Sequence, residues 1–516
     1  MKEYIQRLKS GCPVGVYALW WLFRLLLIYA FVAGLRNGYE SAVTPVLMLL
    51  SFISTFSWEL SMAAPAKSFL RFIPSSTHTA LISLVFAQAF GGIFMNLSYG
   101  TAWFNPLMQI VFSVASVFIG YELSWAVVKK QRIPATKAMM FFVGFGFAFF
   151  AINFVELFEF GVDQLVGSAT GIPYNLQHWS HALAEVTPSL NAVIPSIDPS
   201  RWGLMATMTD IVLGTASAFA ALLVINIYLY RQKGRFRHKT DFEAILVAEV
   251  LPKEVNSAKE WFAEYWQRLI SSCPKRTYIL WWVIRLFMIG LAIYAFIVEP
   301  AGSILPIEIL MNLAVMFIWE LAMASPSKNV FRYIPPVLQT IITVGDCIAV
   351  CAGYIFNFYY EVRLWDSGLH FLCGILGVYF GYEITCALVK MERRKASLTM
   401  MILASVGFCF MVTTFWEIFE FTSDQVVGML SGAPSDVQHW SYDLAYGTPK
   451  FHTLFEYFDN GRWALMDTMG DIVLNTEGTL LATAALIIYP YRHKGRFKFK
   501  EVCRDEVNTV NQKGTA

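Results

Sequence analysis

The sequence predicts an all-α polytopic membrane protein, with about twelve transmembrane helices in two parallel six-helix repeats. Three observations carry this. Of 516 residues, 56% are hydrophobic and only 15% are charged, against roughly 25% charged in a soluble chain. Apolar runs long enough to cross a bilayer recur throughout the chain. Distinctive motifs return at a constant separation of 261 positions.

The repeat sets the order of elements. Cys12-Pro13 matches Cys273-Pro274, and Trp20, Trp21 and Arg24 match Trp281, Trp282 and Arg285. WELSMAAPAK (58–67) matches WELAMASPSK (319–328), and Gly120-Tyr121-Glu122 matches Gly381-Tyr382-Glu383. FVELFEFGVDQLVG (154–167) matches FWEIFEFTSDQVVG (415–428), and the Gln-His-Trp-Ser of 177–180 returns at 438–441. Six spans are expected in the first half, near 16–36, 43–63, 78–98, 106–128, 138–161 and 207–230. Six more are expected near 277–297, 304–324, 339–359, 367–389, 399–422 and 468–491. The expected domains are 1–236, a linker at 237–265, the second repeat at 266–499 and a tail at 500–516. The basic start MKEYIQRLK leads into an apolar run too long for a cleaved signal, so it reads as a retained first span.

An even number of spans gives both halves the same orientation. Lys2, Arg7 and Lys9 precede the first span, and Lys129, Lys130, Arg132 and Lys137 lie between the fourth and fifth. By the positive-inside rule the termini and linker are cytoplasmic, and the long loops 163–205 and 424–466 are external.

Two sets of polar residues need a physical account, because ionisable groups in lipid are costly. The outer set gathers at the external ends of the last three spans. Glu417, Glu420 and Asp424 share one helical face, as do Asp467, Asp471 and Asn475, and Asp366 with His370. Gln438, His439 and Asp443 could add to it from the loop. Oxygen-rich ligands suit Mg²⁺, Ca²⁺ or Mn²⁺, and imidazole moves the preference toward Zn²⁺ or Fe²⁺. Glu417, Glu420, Asp467 and Asp471 are the candidate ligands of a divalent metal. Without a metal, paired acids share protons, or the set is a hydrogen-bonded network joining helix ends. The first half has Asn105, Gln109, Ala182, Ala206 and Gly214 at the places of Asp366, His370, Asp443, Asp467 and Asn475. The main site is therefore expected in the second half.

The inner set is Arg24, Glu59 and Glu122, with Arg285, Glu320 and Glu383. Structural ion pairing is its expected role, with a proton relay as the rival. The eight cysteines lie mostly in apolar runs and read as buried structural residues. No nucleotide loop, Walker lysine or G-x-S-x-G elbow occurs, and no basic patch suits nucleic acid.

The combination of Asp366-x3-His370, FWEIFEF (415–421) and DTMGDIVLNTEG (467–478) resembles the YjdF-like family of bacterial integral membrane proteins, a domain of unknown function. A weaker resemblance is to the VanZ-like membrane proteins. The resemblance covers about 360–490 and implies a bacterial plasma membrane and a tandem duplication with one eroded copy. It implies no substrate or reaction.

Three functions fit these residues. The first is a proton-coupled permease for a small polar or cationic solute. The second is a metal-dependent membrane enzyme acting on a lipid-linked or phosphorylated substrate. The third is a non-catalytic membrane scaffold. The lipid bilayer is a partner in all three.

Overall fold

The structure is a computed structural model and describes residues 2–37, 43–64, 68–101, 103–131, 137–170, 202–231, 258–299, 305–325, 330–362, 364–391, 397–431 and 463–492. Its regular structure is helical throughout. In lipid every backbone N–H and C=O must find a partner within the chain, which a helix provides locally. Among the described residues ten helices are long and apolar enough to cross a bilayer, and the chain is a multi-pass membrane protein.

The helices of the first half are α1 (Lys2–Gly11), α2 (Val14–Asn37), α3 (Val43–Ser54), α4 (Ser57–Ala63), α5 (Ser75–Phe86), α6 (Leu97–Gly100), α7 (Phe104–Gln131), α8 (Lys137–Thr170) and α9 (Trp202–Arg231). Those of the second are α10 (Ala258–Ser272), α11 (Lys275–Val298), α12 (Leu305–Val315), α13 (Ile318–Ala324), α14 (Pro336–Val350), α15 (Phe358–Glu361), α16 (Trp365–Met391), α17 (Leu398–Ser431) and α18 (Trp463–Arg492). Most boundaries recur at the 261-residue separation. So do fine details: α5 and α14 both run on into a π-helical stretch, and Asn96 and Asn357 both take a left-handed conformation at φ 59° and 57°. Asparagine is among the few side chains that enter this region readily.

The described residues group into two compact units. One is chiefly Met1–Leu246, and the other is chiefly Val247–Thr413 with Glu420–Lys450 and Gly470–Ala516. Thr414–Phe419 and Phe451–Met469 group with the first.

One expectation changes in both units. The second span of each half, 43–63 and 304–324, is divided into two short helices rather than one. No Pro or Gly lies at either division, so the sequence gives no breaker to read. The turn is made at Phe56 (φ −88°, ψ 2°) and at Phe317 (φ −100°, ψ −2°). A buried arginine answers each break. Arg24 Nη2 donates to the Thr55 carbonyl at 2.7 Å, and its Nε donates to Thr55 Oγ1 at 3.0 Å. Arg285 Nη2 donates to the Met316 carbonyl at 2.5 Å. Both guanidinium groups lie over the phenyl ring at the turn, 3.8 Å from the Phe56 centroid and 4.1 Å from that of Phe317. Gln339 Nε2 also donates to the Met316 carbonyl.

In the second unit α16 packs closely on α17 and α18 through glycines. A methyl at Gly377 would lie 2.6 Å from Cys409 Sγ, and one at Gly381 would lie 2.7 Å from Ser405 Cα. Gly374 and Gly478 face the carbonyls of Asn475 and Phe371 with no room for a β-carbon. Small residues at such crossings let backbones approach, which is how helices associate in lipid. Gly478→Ala is therefore expected to lower stability by roughly 1–3 kcal/mol through overpacking. Gly345→Ala, whose β-carbon would meet nothing within 4 Å, should be neutral or slightly stabilising. Thermal unfolding of the two variants in detergent checks the difference, and equal midpoints would rule out the close α16–α18 crossing.

Candidate functional site

The glycine-mediated crossing places the first turns of α16 beside the upper part of α18. Asp366 and His370 sit one turn apart on α16, and Asp471 and Asn475 one turn apart on α18. All four are buried. His370 Nε2 lies 3.4 Å from Asp366 Oδ1 and 3.3 Å from Asp471 Oδ2. One ligand atom from each of the three residues lies within 4.8 Å of the others.

The other face of the imidazole is also held. Asn475 Nδ2 donates to the Asp471 carbonyl at 2.9 Å and lies 3.1 Å from His370 Nδ1. With the amide nitrogen turned to Nδ1, the ring accepts there and carries its proton on Nε2, between the two carboxylates. With the amide turned over, Asn475 offers its oxygen to an Nδ1–H and leaves Nε2 free to ligate. A terminal amide can serve both states, which suits a residue that orients a ligating histidine.

Glu420 on α17 brings a carboxylate oxygen within 4.8 Å of one from Asp471. Glu417 is buried one turn earlier on the same helix, and Asp424 is buried one turn later. Asp467 is buried one turn before Asp471 on α18. Of the four metal ligands expected from sequence, Asp471 and Glu420 thus approach each other, while Asp366 and His370 join Asp471 in the imidazole-containing group. Gln438, His439 and Asp443 lie outside the described residues.

Two residues of this region were missed in the sequence. Tyr359 on α15 lies over Gly353, where a β-carbon would collide with its ring. Asp366, Glu420 and Glu308 are its carboxyl neighbours. Glu308, buried on the first turn of α12, is the other. The signal was available: the first half has Ser98 and Leu47 at these positions, so both depart from the repeat in the same direction as Asp366 and His370.

The first unit uses the corresponding places differently. Gln109 Nε2 donates to the Asp210 carbonyl at 3.0 Å. A methyl at Gly214 would lie 3.0 Å from that amide and 2.9 Å from Ser113 Oγ, so the glutamine occupies the space left by the missing asparagine side chain. Glu156 and Asp163 are buried, with Gln109 at the place of His370.

The inner residues form ion pairs in each unit. Arg24 Nη2 lies 2.7 Å from Glu59 Oε2, and Tyr17 donates to Glu59 Oε1 at 3.1 Å. Arg285 Nη1 lies 2.6 Å from Glu320 Oε2. Glu122 and Glu383 are part-buried on α7 and α16. Each guanidinium thus meets a carboxylate and also donates to the carbonyl at the helix break.

Residues 279–492 match the model of a family described as predicted membrane proteins, DUF2238. The match covers the second-half site from Asp366 to Asn475 and the Arg285–Glu320 pair. No curated protein and no solved structure matches the chain. What residues 279–492 are similar to is thus a membrane-protein domain of unknown function.

Proposed function

We propose that the protein is a permease for a cationic solute, and that Asp366, His370 and Asp471 coordinate that solute as a divalent transition-metal ion. The observation that carries this is the pair of spacings from His370 Nε2, 3.4 and 3.3 Å. Both exceed the usual N–H···O range of about 2.7–3.2 Å. They match the edge of a tetrahedron about a metal with bonds of about 2.0–2.2 Å, which is roughly 3.3–3.6 Å. One imidazole and two carboxylates favour Zn²⁺ or Fe²⁺ over Ca²⁺ or Mg²⁺.

Proton coupling follows from charge. Two carboxylates and a neutral imidazole balance a divalent ion, whereas empty carboxylates in a low-dielectric site are not left charged. Loading the metal releases protons, and unloading takes them up. Purified protein in sealed vesicles should carry Zn²⁺ or Fe²⁺ with opposed proton movement. Its affinity should fall as the pH drops through the imidazole range near about 6.5. Absence of flux together with tight metal binding would instead favour a metal-dependent enzyme on a lipid-linked substrate. That second reading is supported by a site of three protein ligands, which keeps a position open for water or substrate. Neither metal nor flux would leave the scaffold.

The recurrence of helices at a 261-residue separation supports a tandem duplication of a YjdF-like six-span unit, with repeats at 1–236 and 266–499. The distribution of lysine and arginine supports cytoplasmic termini, and the resemblance to the YjdF-like family supports a bacterial plasma membrane.

A further inference from the structure

We infer that the second unit also holds a soft metal cation of the Cu(I) class on the thiols of Cys347 and Cys351. This goes beyond the permease reading and does not depend on it.

The two sulfurs lie 3.9 Å apart at the end of α14 and the start of its π-helical continuation. Both thiols are free and partly exposed. A metal bonded to each at about 2.3 Å would span 3.9 Å with a bent angle of roughly 115°, near that of trigonal coordination. Cys347 packs against a buried cluster that contains Met288 and Met316. Thiolate and thioether sulfur are soft donors that suit Cu(I).

The ordinary account of such cysteines is apolar packing, and the first unit shows what apolar packing looks like at these places. Cys347 and Cys351 correspond to Phe86 and Phe90, which stack at 5.1 Å. Met288 and Met316 correspond to Leu27 and Thr55. Phe86 and Phe90 flank a buried cluster of Leu27, Ala30, Met48 and Ala89. The same scaffold therefore carries a stacked aromatic pair in one unit and a pair of thiols 3.9 Å apart in the other. Hydrocarbon packing did not require the change.

Binding forms a Cu–S bond at each cysteine as the thiol proton leaves to water, with no change of oxidation state. The test is anaerobic titration of the full-length protein in detergent with Cu(I), against a chromogenic Cu(I) chelator. Wild type should retain one equivalent. Asp366→Asn/His370→Gln should retain it too, which separates this site from the one proposed above. Cys347→Ser/Cys351→Ser should lose it. Cys347→Phe/Cys351→Phe, which copies the first unit and is built to fold, should lose it as well. Retention of Cu(I) by the double-Phe variant would overturn the inference. So would a wild-type protein that binds none while both thiols react with maleimide.

Discussion

Asp471→Asn is expected to strip the protein of its divalent metal, falling from about one ion per chain by elemental mass spectrometry to none, with an affinity loss of at least about 100-fold. Asp471 is the ligand whose loss should matter most. Its oxygen lies 3.3 Å from His370 Nε2, and another pairing brings it within 4.8 Å of Glu420. Converting it to an amide removes one of the negative charges that balance a divalent cation in a water-poor site. Removing a residue that only orients a ligand typically costs 10–100-fold in metal affinity. That smaller loss is the expectation for Asn475→Ala, which leaves the three ligands in place and releases the imidazole from its amide. The first half supplies the control. Asp210→Asn alters the corresponding carboxyl in a unit with Gln109 where the second has His370, and the metal content should not change. Equal loss from Asp210→Asn and Asp471→Asn would count against a second-half site. Wild-type protein without metal after metal-replete purification, and unable to bind added Zn²⁺ or Fe²⁺, would remove the coordination reading altogether.

The comparison of halves was the part of the site most legible in the sequence. Where the first half has Asn105, Gln109 and Gly214, the second has Asp366, His370 and Asn475, and these three meet with Asp471 in the structure. The hydropathy and periodicity that reveal a transmembrane helix also reveal which face its polar residues share. They do not reveal which face meets which neighbour. That depends on glycine-mediated approach, as at Gly374 and Gly478, so Asp366 and His370 were not ranked with Asp471 as metal ligands. Tyr359 and Glu308 escaped for another reason. Tyr359 lies on a single helical turn after the left-handed Asn357, and its position over Gly353 is set by tertiary packing. The divided second spans escaped because their cause is remote in sequence. The division at Phe56 is held by Arg24, a residue of the preceding helix, and no local propensity reports it.

The same remoteness makes Arg24 the most consequential residue for stability in the first unit. Arg24→Met is expected to destabilise the protein by roughly 3–5 kcal/mol, the usual cost of breaking a buried ion pair by removing one partner. The guanidinium is fully buried, and it meets Glu59 Oε2 and the Thr55 carbonyl, each at 2.7 Å. Two contributions can be separated. Arg24→Met/Glu59→Met removes both charges and should recover part of the loss, because an apolar pair costs less than a part-buried carboxylate that has lost its cation. It should not recover all of it, since nothing then replaces the donor to the Thr55 carbonyl. Arg24→Lys keeps the charge but presents a single compact ammonium in place of a planar fork, so it should fall between the two. In the second unit Gln339 also donates to the Met316 carbonyl, whereas His78 at the corresponding place lies 3.4 Å from both Ser57 Oγ and Ser61 Oγ. Arg285→Met should therefore cost less than Arg24→Met, by about one hydrogen bond to a buried group, on the order of 1–3 kcal/mol. Thermal unfolding in detergent orders the four variants. An Arg24→Met protein that melts with wild type but loses flux would transfer the inner pair from structure to a proton relay.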